Sequence, residues 1–246
     1  MFEKPPVPIR PKLMFFGDPH GDFRFVVRSV ERHRPEATIL FGYLHPRRPL
    51  QIELAPVLDL TSVWFVHGNH DTDSESGHDH LFGSTLADRN LDGHVVEVAG
   101  LRFAGVGGVV GVFRQSIWAP SEPPAFRSVA KRLRSLRPCE RWRGGLPLRH
   151  RSSIFPDVLE RLARQRADVL VSHEALGGHP HGWPVLDALA TSLGVQVAVH
   201  GHLHQNIDYV AEGRLPRPYG YQAYGVDREC FLTWPRTVRL FERAIP

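Results

Sequence analysis

Cysteine is scarce in this chain: Cys139 and Cys230 are the only two in 246 residues, and they stand far apart. That excludes a disulfide framework and a cysteine-rich zinc module. Long apolar runs are missing as well. None approaches the roughly 18 residues that cross a bilayer. Residues 1–11 are proline-rich and charged, and the apolar stretch 13–16 is too short for the core of a secretory leader. The expectation is a cytoplasmic protein with no membrane partner. Internal repeats, low-complexity tracts and any shift in composition are also lacking, so residues 1–246 are expected to form one domain.

Histidine, by contrast, is abundant, with 15 residues. It is the commonest metal-ligating side chain. Charge is unevenly spread: residues 110–152 carry ten Lys or Arg against two Glu, whereas the whole chain nets only +4. Such a basic segment is either a solvated arginine-rich insertion or an attractor of anions.

Five short, nearly continuous apolar runs, 12–16, 37–41, 63–67, 168–172 and 195–200, read as strands covered on both faces. Helical spacing follows at 22–33, with Phe23, Val26, Val27 and Val30 on one face, and again at 156–167 and 183–193, the last stopping at Gly194. Residues 94–106 read as a hairpin, and 221–227, 231–234 and 237–242 as further antiparallel strands. The class is mixed α/β. Residues 114–152 read as a surface insertion with one helix near 129–136. The donor-rich stretch 70–80 has no clear period and reads as a solvated loop.

The chemistry lies where strands stop. The first is followed by Gly17-Asp18-Pro19-His20, the third by Gly68-Asn69-His70-Asp71, the fourth by His173-Glu174 and the fifth by Gly201-His202-Leu203-His204. Carboxyl ends of strands line the crevice of an open α/β sheet, so these groups should converge. Asp, Asn and His offer the oxygen and nitrogen donors that divalent transition metals take. Spacing by two lets both side chains of an extended pair point the same way.

This order of motifs, from Asp18 to His204, resembles the calcineurin-like metallophosphoesterase superfamily. The resemblance implies a four-layer α-β-β-α sandwich of two mixed β-sheets flanked by helices, and metal-dependent hydrolysis of phosphomonoesters or phosphodiesters. By position, Asp18, His20 and His204 look like ligands of one metal, and Asn69, His173 and His202 like ligands of a second. His70 resembles the histidine facing the scissile phosphate, with Asp71 orienting its ring. Two divalent ions about 3.5–4 Å apart would lower the pKa of an attacking water, and the histidine would serve as general acid. Manganese, iron, zinc and nickel all suit such donors, with manganese or iron favoured.

One position departs from the pattern. The family has Gly-Asp after the second strand, and that carboxylate bridges the metals. Here the pair is Gly42-Tyr43. A free phenol has one oxygen and a pKa near 10. One anion fewer between two close cations leaves several kcal/mol of repulsion, even at a generous dielectric. Three readings stay open: one tight metal with the other loose or lost; Tyr43 as a phenolate on ferric iron; or a crippled site. Purple acid phosphatases place an iron-bound tyrosine three residues after the motif aspartate, and that position is Pro46 here. His45, before a proline, reads as a surface residue.

Arg114 and His181 are candidate substrate contacts. The partner expected is a phosphate ester. Nucleic acid is less favoured, because aromatics near the basic segment are sparse. The rival functions are a catalytically weak phosphoesterase-fold protein that binds an anionic partner, and a nuclease.

Overall fold

The computed structural model describes residues 12–110, 124–215, 220–235 and 241–243. Arg114 lies outside them, as do parts of the expected 114–152 insertion and 237–242 strand.

Period-two alternation inside the apolar runs builds the layers. In strand β1 (Leu13–Phe16), Leu13 and Phe15 face one side and Met14 and Phe16 the other, all fully buried. β1 pairs in parallel with β2 (Ala37–Leu40), which pairs in parallel with β3 (Ser62–Phe65). Antiparallel strands β10 (Cys230–Trp234) and β11 (Phe241–Arg243) complete a five-stranded sheet. The second sheet has six strands. Its parallel centre is β5 (Leu101–Val106), β6 (Val169–Ser172), β7 (Val197–His200) and β9 (Gln222–Gly225), flanked by β4 (Val95–Val98) and β8 (Ile207–Asp208).

The sheets pack face to face through Leu13, Phe15, Ile39, Phe41, Val66, Phe103, Val171 and Val199. Phe15 stacks on Phe41 within its own sheet and on Phe103 of the other, with centroids 6.2 and 6.3 Å apart. Helix α1 (Arg24–His33) covers the outer face of the first sheet through Val26 and Val30. Helices α5 (Pro156–Leu162) and α6 (Pro184–Leu193) cover the second through Leu159, Leu162, Leu186 and Leu189. Burying such side chains supplies roughly 25 cal/mol per Å² of apolar area. The four-layer sandwich expected from the sequence is what forms.

Two short helices interrupt the expected loops. One is α2 (Leu50–Glu53); the other is α3 (Glu75–Phe82), inside the stretch expected to be a solvated loop. The Ser74 hydroxyl caps α3 by accepting the Gly77 N–H. The helix buries only Leu81, so its sequence shows little amphipathic period. Helix α4 (Val129–Ser135) forms within the basic segment, capped by Ser128. Among the described residues, no helix is long and apolar enough to cross a membrane.

Candidate functional site

The loops after β1, β2, β3, β6 and β7 meet at the carboxyl edges of the two sheets. Backbone bonds tie the first two together: His20 N–H donates to Tyr43 O (2.8 Å) and Gly21 N–H to Leu44 O (3.0 Å). The second and third approach more closely still. A Cβ built on Gly42 would stand 2.2 Å from Gly68 Cα and 2.5 Å from His173 Nδ1, so only glycine fits there.

The six candidate ligands gather as expected. His20 Nε2 lies 3.0 Å from His204 Nε2. Asp18 Oδ2 lies 3.4 Å from His204 Nε2 and accepts the His202 N–H at 2.9 Å. On the other side, His173 Nε2 is 3.0 Å from Asn69 Oδ1, and the His173 and His202 rings are 4.6 Å apart. Donor separations of about 3.0–3.4 Å are those of neighbouring ligands on one ion with bonds near 2.1 Å.

The electrostatics also fit a cation. Burial drives the Asp18 carboxyl well above its usual pKa, and the charges that act on it are further carboxylates, Asp71 and Asp227. Burial pushes His20 and His202 down to about 4 and lowers His173 and His204, so the imidazoles are neutral, the form that binds metal. Asp18 Oδ1, His173 Nδ1 and His202 Nδ1 are buried with no hydrogen-bond partner. Such orphaned acceptors cost free energy unless something fills them.

Tyr43 stands in the middle of this set. Its ring centroid is 4.8 Å from that of His20, 5.0 Å from His70 and from His173, 5.7 Å from His202 and 5.6 Å from His204. Its phenol shares a hydrogen bond with the Asn69 side chain, yet burial raises its pKa above the usual tyrosine value. Among the described residues, no three His, Cys, Asp or Glu donors close around one point. The donor types fit a divalent ion, and the Tyr43 ring lies between the His20–His204 pair and the His173–His202 pair.

Asp71 differs from its expected role. Its buried carboxylate accepts the Gly68 N–H at 2.7 Å and the His45 N–H at 3.0 Å, so it braces the loops rather than the His70 ring. Asp73 is the carboxylate paired with His70 Nδ1. His45 also departs from the sequence reading. Its ring faces inward, 6.0 Å from those of His20 and Tyr43 and 6.1 Å from that of His70. Glu174, pushed up to about 8 by burial, accepts the Val110 N–H and lies 3.9 Å from His202 Nε2. His181 is exposed and packs on His179, with centroids 5.6 Å apart. His200 is structural, with Nδ1 on Gly201 O and Nε2 on the Tyr209 hydroxyl.

Much of the basic segment's charge is used internally. Arg143 bridges to Asp79 and Glu75 of α3, Arg127 pairs with Glu160, and Arg143 and Arg151 sit over Trp142. These contacts fasten the segment to the sandwich.

The family model for calcineurin-like phosphoesterases matches residues 11–206. This chain belongs to that family. It is 40% identical over 207 residues to a protein of Haemophilus influenzae (strain ATCC 51907 / DSM 11121 / KW20 / Rd) described as an uncharacterized protein; the match spans 84% of this chain and 88% of that one. The crystal structure of TT1561 of Thermus thermophilus superposes with a TM-score of 0.57 at 12% identity, over 92% of this chain and 95% of that one. Another solved chain gives 0.57 at 12% identity, over 96% and 100%. At that identity the structures show a shared fold.

Proposed function

We propose that this chain, as one domain, hydrolyses phosphate esters, mono- or diesters, with the help of a bound divalent transition metal, manganese or iron by preference. The observation that carries the reading is the convergence of Asp18, His20, Asn69, His173, His202 and His204 on one crevice with unpartnered buried donor atoms. Asp18, His20 and His204 would hold one ion, and Asn69, His173 and His202 would hold a second, more weakly, because no carboxylate joins the two. A divalent ion there supplies positive charge for the phosphoryl oxygens and lowers the pKa of water.

The chain's own residues do the rest. His70 is partly exposed, stacks on Tyr43 and has Nδ1 engaged by Asp73, which leaves its Nε2 to move a proton to or from the leaving oxygen. Tyr43 walls the crevice, and with no metal bound burial holds its phenol neutral. The ring in the bridging position also favours a second reading, a slow or inactive phosphoesterase that binds an anionic partner.

Hydrolysis of p-nitrophenyl phosphate and its bis-ester, with manganese and with chelator, tests the proposal. Manganese-dependent turnover that falls at least about 10-fold in His173→Ala supports it. No turnover of either ester with any of manganese, iron, zinc or nickel overturns it.

A further inference from the structure

A second group of exposed cations lies away from the basic segment. A groove of about 800 Å³ starts at Gly21, the residue after His20, and is lined by Arg24, Arg28, Arg47 and Arg48 together with Asp22 and Glu53. Consecutive Cα atoms are about 3.8 Å apart, so one end of the groove adjoins the backbone that positions His20. The other wall is the loop that carries Tyr43 and His45, held by the His20–Tyr43 and Gly21–Leu44 backbone bonds.

The charges are not evenly spent. Arg24 forks onto Asp22 and Arg48 onto Glu53. That leaves Arg28, which feels Asp22 only at longer range, and Arg47 with no carboxylate in direct contact among the described residues. Arg47 Nε lies 3.8 Å from where a Cβ on Gly21 would sit, which places its guanidinium group against the backbone next to the site. Phe23, Val27 and Pro56 supply an apolar wall. Two guanidinium groups with free donors suit the oxygens of one phosphate, and guanidinium binds phosphate by paired hydrogen bonds.

We propose that this groove, through Arg28 and Arg47, is a subsite for a second phosphate of a small substrate whose first phosphate ester sits at the metal centre. The assignment to a substrate rests on the phosphoesterase reading; the anion site itself does not. A compact ligand is favoured over a polynucleotide. The two spare cations lie in one bounded groove beside two carboxylates, which would repel a long polyanion.

The test is calorimetric titration of inorganic pyrophosphate into the full chain at pH 8 in low salt with chelator. Without metal, the cation beside His20 and His204 is Arg228, already paired with Glu229, so it is the arginine variants that assign the binding to the groove. The expected result is saturable binding to wild type that weakens at least about 10-fold in Arg28→Gln/Arg47→Gln, with Arg47→Lys in between. Melting temperature checks that the variants fold. Equal affinity in the double variant, or no binding to wild type, overturns the subsite. A mixed-sequence single strand of about 20 nucleotides is titrated in parallel. If it binds more tightly than pyrophosphate, through the same arginines and with steep salt dependence, the small-substrate assignment is overturned. A silent esterase assay with arginine-dependent pyrophosphate binding would sink only the phosphoesterase reading, and an active enzyme with arginine-independent binding only the groove.

Discussion

The Tyr43 ring lies 4.8 Å from the His20 ring at an interplanar angle of 14°, stacked on an imidazole that is otherwise placed to ligate metal. Both residues adopt positive φ, 50° for His20 and 52° for Tyr43. So do His45, His202 and His204; of the nine non-glycine residues with positive φ among those described, five therefore belong to this cluster. Such conformations cost on the order of 1–2 kcal/mol each and persist where surrounding structure holds them. The loops are strained in order to turn these side chains toward one another.

Asp71 and Asp73 should separate cleanly on mutation. Asp71→Ala strands one buried and one partly buried backbone donor, and a buried unsatisfied donor costs about 1–3 kcal/mol. Thermal unfolding should show a loss of several degrees, since 1 kcal/mol corresponds to about 2–4 °C in a chain of this size. Asp73→Ala touches a partly exposed pair, so the melting temperature should hold while kcat drops about 10-fold through loss of His70 orientation. Equal melting losses in both variants would contradict the assignment.

Removing the His173 imidazole should be felt first in metal affinity. The side chain is fully buried, with one nitrogen on Asn69 and the other facing Asp18 at 3.7 Å. His173→Ala is expected to weaken binding of the second, looser manganese ion at least about 10-fold in equilibrium dialysis while the ion at Asp18, His20 and His204 is retained. Unchanged affinity for the looser ion would place it elsewhere.

A pH effect is expected at Asp187. Its carboxylate accepts the Gly177 N–H at 2.6 Å and the Tyr221 hydroxyl at 3.2 Å, anchoring the loop that follows His173. Burial nonetheless raises its pKa above 3.8. The folded state therefore holds this proton more tightly than the unfolded state. The associated stability is present below the unfolded pKa and is lost as pH rises through the folded one. The melting temperature of wild type minus that of Asp187→Asn should fall as pH rises from about 4 to 7. A difference that rises with pH would contradict this.

The strands were legible because burial on both faces writes them as uninterrupted apolar runs, and the convergence of Asp18, His20, Asn69, His173, His202 and His204 because each lies in the loop that follows such a run. Helix α3 was not, since a Ser74 cap and one buried leucine leave almost no period to read. The choice between Asp71 and Asp73 depends on which way a tight turn points its side chains, which spacing alone does not encode. His45 turns inward through a backbone bond to Asp71, a tertiary event. Charge is dense along residues 110–152, whereas the groove cations Arg28 and Arg47 come from stretches of unremarkable charge that folding brings together.

The decisive measurement compares the native chain with Tyr43→Asp, reading bound manganese per chain and hydrolysis of p-nitrophenyl phosphate side by side. Aspartate tolerates the positive φ at this position, so the backbone need not change. The expected result is one tight ion or fewer in the native chain, a second ion in the variant, and turnover at least about 10-fold faster. A variant that takes up no further metal and runs no faster would contradict the claim that the Tyr43 ring fills the position of a bridging carboxylate.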